Sequence, residues 1–173
     1  MQFSAGQIIV HPHHGPTTVT DVTSRIIKGA SVTYLGLRVH KTDMTVHVPF
    51  DRAEELGLRK VYDTDELAEL FDVLRAPTGH EEEAWSRRFK DNQEKIKLGD
   101  LLVTAGVVRD LTRRERDRGL STGEKNMLRT ARLPVATELA LALEVSDEKA
   151  EGLIDAAILD PESHRDREQT AVG

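Results

Sequence analysis

The sequence lacks cysteine altogether, and its 173 residues include few aromatics: one Trp, two Tyr and four Phe. The absence of cysteine excludes disulfide bonds, thiolate zinc sites and cysteine nucleophiles, and it suits a reducing compartment. No apolar run approaches the roughly 18 residues that a membrane-spanning helix needs, and the first residues have no basic and apolar signal region. We therefore expect a cytoplasmic protein without a membrane segment.

Motifs of the common enzyme classes are also missing. There is no G-x-G-x-x-G, no H-E-x-x-H and no convincing nucleophile beside a base, so we expect no catalytic activity and no cofactor. The segment His11-Pro12-His13-His14-Gly15 contains three imidazoles of the kind that bind zinc, nickel or copper. No carboxylate lies within a few residues to complete a metal site, so we interpret the segment as a turn.

Charged residues make up 31% of the sequence and are unevenly distributed. The formal net charge of −6 argues against a general affinity for nucleic acid, but residues 85–133 contain thirteen Lys and Arg against seven Asp and Glu. The remainder contains eleven Lys and Arg against twenty-three Asp and Glu. A basic segment in an acidic protein can bind phosphate locally. A solvated helix face is the alternative interpretation.

Residues 1–50 have the pattern of β-strands. Residues 17–26 and 32–39 are rich in Val, Ile, Thr and Leu, and residues 44–48 alternate between apolar and polar. The turns between these runs are too short for crossover helices, so the strands must pair antiparallel. A small sheet hides its edges best by curling into a barrel of the SH3 or Tudor type.

The last of these strands predicts which side chains face the core. Side chains alternate between the two faces of a strand. The apolar set Met44, Val46 and Val48 should therefore point inward, while Thr45 and His47 point outward. We expect His47 at the surface.

From residue 63 onward, apolar residues recur at the helical period. Asp63 with Glu66, and Ser121 with Glu124, have the spacing of capping boxes, which open helices. Six helical segments are predicted. They run from Asp63 to before Ala76-Pro77, from about Glu81 to Lys97, from Asp100 to before Gly119, from Ser121 to a kink or end at Pro134, from Val135 to Leu143, and from Asp147 to Leu159.

These patterns predict an α+β protein with two domains. A small antiparallel β-barrel occupies residues 1–52, and an all-α domain occupies residues 64–159. Residues 53–63 form a linker. Residues 160–173 contain few apolar side chains to bury, so we expect a disordered acidic tail there.

Trp85 lies in the sequence Trp-Ser-Arg-Arg-Phe-Lys and is the only tryptophan. By default, a lone tryptophan on a helix belongs to the core. Here the neighbouring cations could neutralise phosphates while an exposed ring wedges into a minor groove where base stacking is already weak. A wedge of this kind reads the deformability of DNA more than its base edges, so strong sequence specificity is not expected.

Six blocks in order make the sequence resemble the CarD/CdnL family of bacterial transcription regulators over residues 3–159. The blocks are Pro12-His13-His14-Gly15, Ile27-Lys28-Gly29, Val73-Leu74-Arg75-Ala76-Pro77, Trp85-Ser86-Arg87-Arg88, Val107-Val108-Arg109-Asp110-Leu111, and Arg118-Gly119-Leu120-Ser121 followed by Gly123-Glu124-Lys125. Chance does not easily assemble such a series.

The resemblance implies a Tudor-like domain that binds the RNA polymerase β subunit and a helical domain that binds promoter DNA. It implies that Trp85 wedges into the minor groove at the upstream edge of the transcription bubble. The implied phosphate contacts are Arg87, Arg88, Lys90 and Lys125, and the implied polymerase contacts are Arg25, Ile27 and His47. The implied function is stabilisation of the open promoter complex. The factor would be monomeric and non-enzymatic, and it would associate with the nucleoid because it binds polymerase.

His47 departs from the pattern of the family, which usually has an arginine at this position. An imidazole lacks the fork of donors of a guanidinium, so the polymerase contact could be weaker. One alternative is therefore a diverged paralogue that keeps one binding surface and acts as a competitor or as a DNA-only binder. Another is a protein adaptor without a DNA role, in which Trp85 belongs to the core.

Overall fold

A computed structural model describes residues 2–161 of the chain. These residues divide into two compact units, with the boundary between residues 61 and 62. The predicted disordered tail, residues 160–173, lies outside the described residues except for its first two positions. None of the helices within residues 2–161 has both the length and the apolar character that crossing a bilayer requires.

The first unit is a five-stranded antiparallel sheet. Its strands are β1 (Ile8–His11), β2 (Gly15–Ile27), β3 (Ala30–Val39), β4 (Thr45–Pro49) and β5 (Arg59–Lys60). They lie in the order β4-β3-β2-β1-β5, so the predicted antiparallel sheet is confirmed. The predicted closure of this sheet into a barrel is wrong. Among the described residues the sheet stays open, because its edge strands β4 and β5 do not pair and β5 has only two residues.

The core of this unit consists of alternate strand residues and of two residues that follow β4. The buried apolar residues that form one cluster are Ile9, Val19, Leu35, Leu37, Val48, Ala53 and Leu58. Ala53 and Leu58 lie in the segment predicted as a linker, and β5 pairs with β1. Residues 53–60 therefore contribute to the sheet unit.

The strand around His47 agrees with the predicted alternation at all but one position. Val48 is buried, whereas Thr45 and His47 are exposed. Met44 was predicted to point inward, but it is 46% exposed. The reason is that β4 begins at Thr45, while the carbonyl of Met44 accepts a hydrogen bond from the N–H of Val39 as part of the preceding turn.

In the described part of the second unit, residues 62–161, there are five helices, α1 (Thr64–Arg75), α2 (Trp85–Lys97), α3 (Leu101–Asp117), α4 (Thr122–Leu143) and α5 (Asp147–Leu159). Four of them start at a side chain that accepts a backbone N–H in the first turn. These N-caps are Asp63, Asp100, Ser121 and Ser146. The capping boxes predicted at Asp63 and Ser121 are confirmed.

Helix α3 lies at the centre of the helical unit and packs against each of the other four helices. Its apolar residues at the helical period are buried: Leu101, Ala105, Val108 and Leu111 are at most 7% exposed. The α+β class with a helical second half is therefore confirmed.

Two helix boundaries differ from the prediction. Helix α2 begins at Trp85 and not at Glu81, because the preceding carbonyl groups of Glu82 and Glu83 accept hydrogen bonds from the Arg88 side chain. Helix α4 continues through Pro134, although proline removes one helical hydrogen bond. Buried residues on both sides of the proline, among them Ala131 and Val135, belong to one core cluster, and this packing holds the two halves in a single helix.

Candidate functional site

Trp85 is the first residue of α2 and is 49% exposed, so it is not a core residue. Its ring stacks on Phe89, one turn later in the helix, with the ring centroids 5.2 Å apart and the planes inclined by 25°. The indole Nε1–H donates a hydrogen bond of 3.0 Å to Oγ of Ser121. The ring therefore has fixed partners in the protein, while the residue as a whole is about half exposed to solvent.

Ser121 joins the indole to a buried ion pair. Its backbone N–H and its hydroxyl both donate to Oε2 of Glu124 at 3.1 Å, and Nε of Arg88 donates to Oε1 at 2.7 Å. The Arg88 and Glu124 side chains are only 6% and 2% exposed. Burial alone would raise the pKa of Glu124, but the hydrogen bonds from Arg88 and Ser121 outweigh it and keep this pKa below its ordinary value. Glu124 is therefore a carboxylate at neutral pH.

Arg88 was predicted to contact phosphate, and the structure requires a correction. Besides its bond to Glu124, its guanidinium donates to the carbonyl oxygens of Glu82 and Glu83 at 3.1 and 3.2 Å. A buried guanidinium with these partners could reach DNA only by leaving an unpaired carboxylate behind. We therefore assign Arg88 a structural role.

The other predicted phosphate contacts are exposed cations. Arg87 and Lys90 lie in the first two turns of α2, and Lys125 lies in the first turn of α4, with its Nζ 3.8 Å from a carboxylate oxygen of Glu115. Both helices that hold the indole therefore also supply cations. A ring inserted into a minor groove about 6 Å wide is flanked by the phosphates of both strands, so exposed cations on the two helices that contact the ring suit such a ligand.

Much of the remaining basic segment serves the fold. Arg113 donates to the carbonyl oxygens of Ala76 at 2.7 Å and Ile158 at 3.2 Å, so it binds orphan carbonyls at the ends of α1 and α5. Partly or fully buried arginines with internal partners are Arg88, Arg109, Arg113, Arg114 and Arg132. Charge counted along the sequence therefore overstates the cations that a ligand can meet.

The three predicted polymerase contacts, Arg25, Ile27 and His47, lie on one face of the sheet. Their cross-strand partners on β3 are Val32, Ala30 and Gly36, respectively. Directly opposed residues share a face, and alternate residues along one strand share a face. The register therefore brings these three side chains to the same side, and all three are exposed.

The histidine-rich segment forms a turn. Nδ1 of His11, a largely buried residue, accepts hydrogen bonds from the backbone N–H groups of His13 at 3.1 Å and His14 at 3.3 Å. Burial lowers the pKa of His11, and the nearby rings of His14 and His13 lower it further. The neutral ring thus closes the turn. Within residues 2–161 no group of three or more His, Asp or Glu side chains could hold a metal ion.

Sequence reasoning did not identify Ser121 and Phe89 as partners of Trp85. The spacing of four residues between Trp85 and Phe89 was a usable signal, because such residues are neighbours on a helix. Ser121 lies 36 residues further along the chain, so only the packing of α2 against α4 reveals its bond to the indole.

Two family models match the chain. The one described as "CarD-like/TRCF RID domain" matches residues 3–62, and the one described as "CarD, C-terminal domain" matches residues 69–155. The "Putative transcription factor YdeB" of Bacillus subtilis (strain 168) is 27% identical over 147 residues, which are 85% of this chain and 96% of that protein. The solution NMR structure of the 72-residue N-terminal domain of Myxococcus xanthus CarD is 25% identical and matches 34% of this chain and 79% of that one, with a TM-score of 0.30.

Proposed function

Because this chain belongs to the CarD family and is a CarD-like transcription factor, we propose that it binds the RNA polymerase β subunit and promoter DNA together and stabilises the open promoter complex. The observation that carries the proposal is Trp85, a large apolar ring that is half exposed and yet held in one orientation. A regulator that acts in this way catalyses no reaction.

The proposed DNA contact rests on the ring and on three exposed cations of the two helices that contact it. Separating two stacked base pairs costs a few kcal/mol, and this cost is lower where the duplex already ends in a melted bubble. Trp85 should therefore prefer the upstream fork to closed duplex. Arg87, Lys90 and Lys125 would neutralise phosphates beside the ring, and three such contacts predict a salt dependence of log K against log [salt] with a slope of about −2.7.

The proposed contact with polymerase rests on the sheet unit. Residues 3–62 match the CarD-like/TRCF RID domain, which suggests an interaction with RNA polymerase. Arg25, Ile27 and His47 share one exposed face of the sheet, so a single partner surface could touch all three. We propose that this face contacts the β subunit.

The combined effect is a shift of an equilibrium. A factor that binds the open complex more tightly than the closed complex raises the population of the open one. A difference of about 1.4 kcal/mol changes the ratio tenfold. Contacts as modest as one apolar wedge and a few phosphate bonds can therefore have a large effect while the polymerase contact keeps the factor at the promoter.

The test is the lifetime of the open complex formed by the cognate polymerase holoenzyme. It is compared without factor, with this protein, with Trp85→Ala and with Leu98→Ala. Leu98 is a matched control, because it is a large apolar side chain that is 72% exposed at the other end of α2. We expect the protein and Leu98→Ala to prolong the lifetime equally and Trp85→Ala to lose most of the effect.

Two outcomes would contradict the proposal. An unchanged lifetime with the unmodified protein would show that it does not stabilise the open complex. If Trp85→Ala prolonged the lifetime of the open complex as much as the unmodified protein does, the ring would not act as a wedge.

A second candidate function is favoured by His47. Its imidazole stands on the proposed polymerase face where the family resemblance implies an arginine, and it offers fewer donors than a guanidinium. The protein would then be a paralogue that keeps DNA binding and has a weakened polymerase contact. Retained binding to fork DNA without binding to polymerase, with polymerase binding gained by His47→Arg, would identify this case.

A further inference from the structure

We propose that Ser121 is the positioning residue for Trp85: its hydroxyl holds the indole in the orientation in which the ring can enter DNA. The inference rests on the proposed function and adds to it a residue on another helix. An indole has a single hydrogen-bond donor, Nε1–H, and in this protein that donor is used by Oγ of Ser121 at 3.0 Å.

The Ser121 hydroxyl is itself fixed, because all of its hydrogen-bonding capacity is used. A hydroxyl group has one donor and two acceptor sites. Oγ donates to Oε2 of Glu124 at 3.1 Å, and it accepts from the N–H of Glu124 at 3.2 Å and from the indole of Trp85. Rotating the hydroxyl would break one of these bonds. The bond to Trp85 therefore has one favoured direction.

The buried ion pair determines which way the hydroxyl points. An ionised carboxylate can only accept hydrogen bonds, so the Ser121 hydroxyl must donate its hydrogen bond to Glu124. The lone pairs of Oγ are then left for the two N–H donors. Arg88 anchors the other carboxylate oxygen at 2.7 Å. A chain of contacts thus runs from Arg88 through Glu124 and Ser121 to the indole.

Phe89 supports the ring from within its own helix. The two aromatic rings are stacked with centroids 5.2 Å apart. Gly123, the second residue of α4, leaves room for this arrangement, because a Cβ atom added there would lie 3.2 Å from Cε2 of Phe89, which is closer than an ordinary contact. Phe89 and Ser121 together leave the indole little freedom of rotation.

This arrangement has two consequences for DNA binding. A side chain that is already oriented loses little conformational entropy on binding, which increases affinity. Since the only donor of the indole is already used, the contacts that the ring offers to DNA are apolar contacts and stacking. The wedge should therefore distinguish poorly between base pairs.

The first experiment follows the indole N–H in the free protein by NMR. Trp85 is the only tryptophan, so a uniformly 15N-labelled sample gives a single indole cross-peak. The variants are Ser121→Gly, which removes the hydroxyl but keeps a residue tolerated at N-caps, Ser121→Thr, which keeps the hydroxyl, and Ser146→Gly. Ser146 is the matched control, because it caps α5 through the N–H of Lys149.

We expect Ser121→Gly to move the indole cross-peak upfield and to accelerate its exchange with solvent. Ser121→Thr should restore the position seen in the unmodified protein, and Ser146→Gly should leave it unchanged. A cross-peak that Ser121→Gly does not move would overturn the inference. The outcome does not depend on DNA, so it is separate from the test of the proposed function.

The second experiment measures the affinity of the same proteins for fork-junction DNA. Loss of one hydrogen bond that orients the ring should weaken binding about two- to tenfold in Ser121→Gly, while the other two variants bind like the unmodified protein. Equal affinity of Ser121→Gly would overturn the positioning role. If Trp85→Ala also bound as tightly as the unmodified protein, the proposed function would fail instead.

Discussion

Arg88→Ala should destabilise the helical unit far more than the same change at its neighbour Arg87. Removing Arg88 leaves the carboxylate of Glu124, only 2% exposed, without its cationic partner. Breaking a buried ion pair from one side costs about 3 to 5 kcal/mol. We expect a loss near the lower end, about 3 kcal/mol, because Glu124 keeps its bonds from Ser121 and can take up a proton. Arg87 is exposed, so its replacement should change stability by less than about 0.5 kcal/mol.

The assay is urea unfolding followed by circular dichroism and by the fluorescence of Trp85, which lies in the helical unit. In a thermal melt of a unit of this size, the same loss of 3 kcal/mol would correspond to a decrease of roughly 12 to 24 °C in Tm. A stability of Arg88→Ala within about 0.5 kcal/mol of that of Arg87→Ala would refute the reasoning, because it would mean that the buried pair contributes nothing.

The pH dependence provides a second measurement of the same pair. The pKa of folded Glu124 lies below its ordinary value, so its contribution to stability is present above the unfolded value of about 4.3 and is lost as the pH falls through the folded pKa. Arg88→Ala removes the side-chain hydrogen bond that lowers this pKa. The loss of folding stability at acid pH that we assign to Glu124 should therefore be smaller in Arg88→Ala. If stability fell with decreasing pH as steeply in this variant as in the unmodified protein, Glu124 would not be the source of the loss.

Three further predictions concern other parts of the molecule. Arg113→Met should destabilise the helical unit by about 2 kcal/mol in calorimetry, because several carbonyl groups lose their donor. Arg116 is exposed, so Arg116→Ala should leave the stability nearly unchanged, and equal losses in the two variants would contradict the capping role of Arg113. The lowered pKa of His11 means that its share of the stability of the sheet unit is present above about pH 6.5 and is lost as the pH falls through the folded pKa. Thermal melts at pH 7.5 and 5 should show this loss, and His11→Asn should reduce it; an undiminished loss in the variant would exclude His11 as its source. His47→Arg should tighten binding to polymerase about threefold in surface plasmon resonance, and weaker binding would mean that the face meets no acidic surface.

Local features of the sequence predicted most of the fold. Capping boxes at Asp63 and Ser121 are formed by residues three apart, so their geometry is determined within one helical turn. The buried stripe of α3 and the outward position of His47 follow from the period of a single element. Boundaries were predicted less well where distant contacts decide them. Helix α4 passes through Pro134 because both halves are packed, and no local signal records this packing.

The sequence by itself determined the two-part α+β organisation, the start points of most helices and the presence of a lone tryptophan among cations, because these depend on composition, period and neighbouring residues. Only the tertiary structure decided what each cation does. Arg87 and Arg88 are adjacent and chemically identical, yet one is exposed and the other is buried against Glu124, 36 residues away. The same packing of α2 against α4 brings Ser121 to the indole. A contact of this kind depends on how two helices pack, and no short stretch of sequence contains that information.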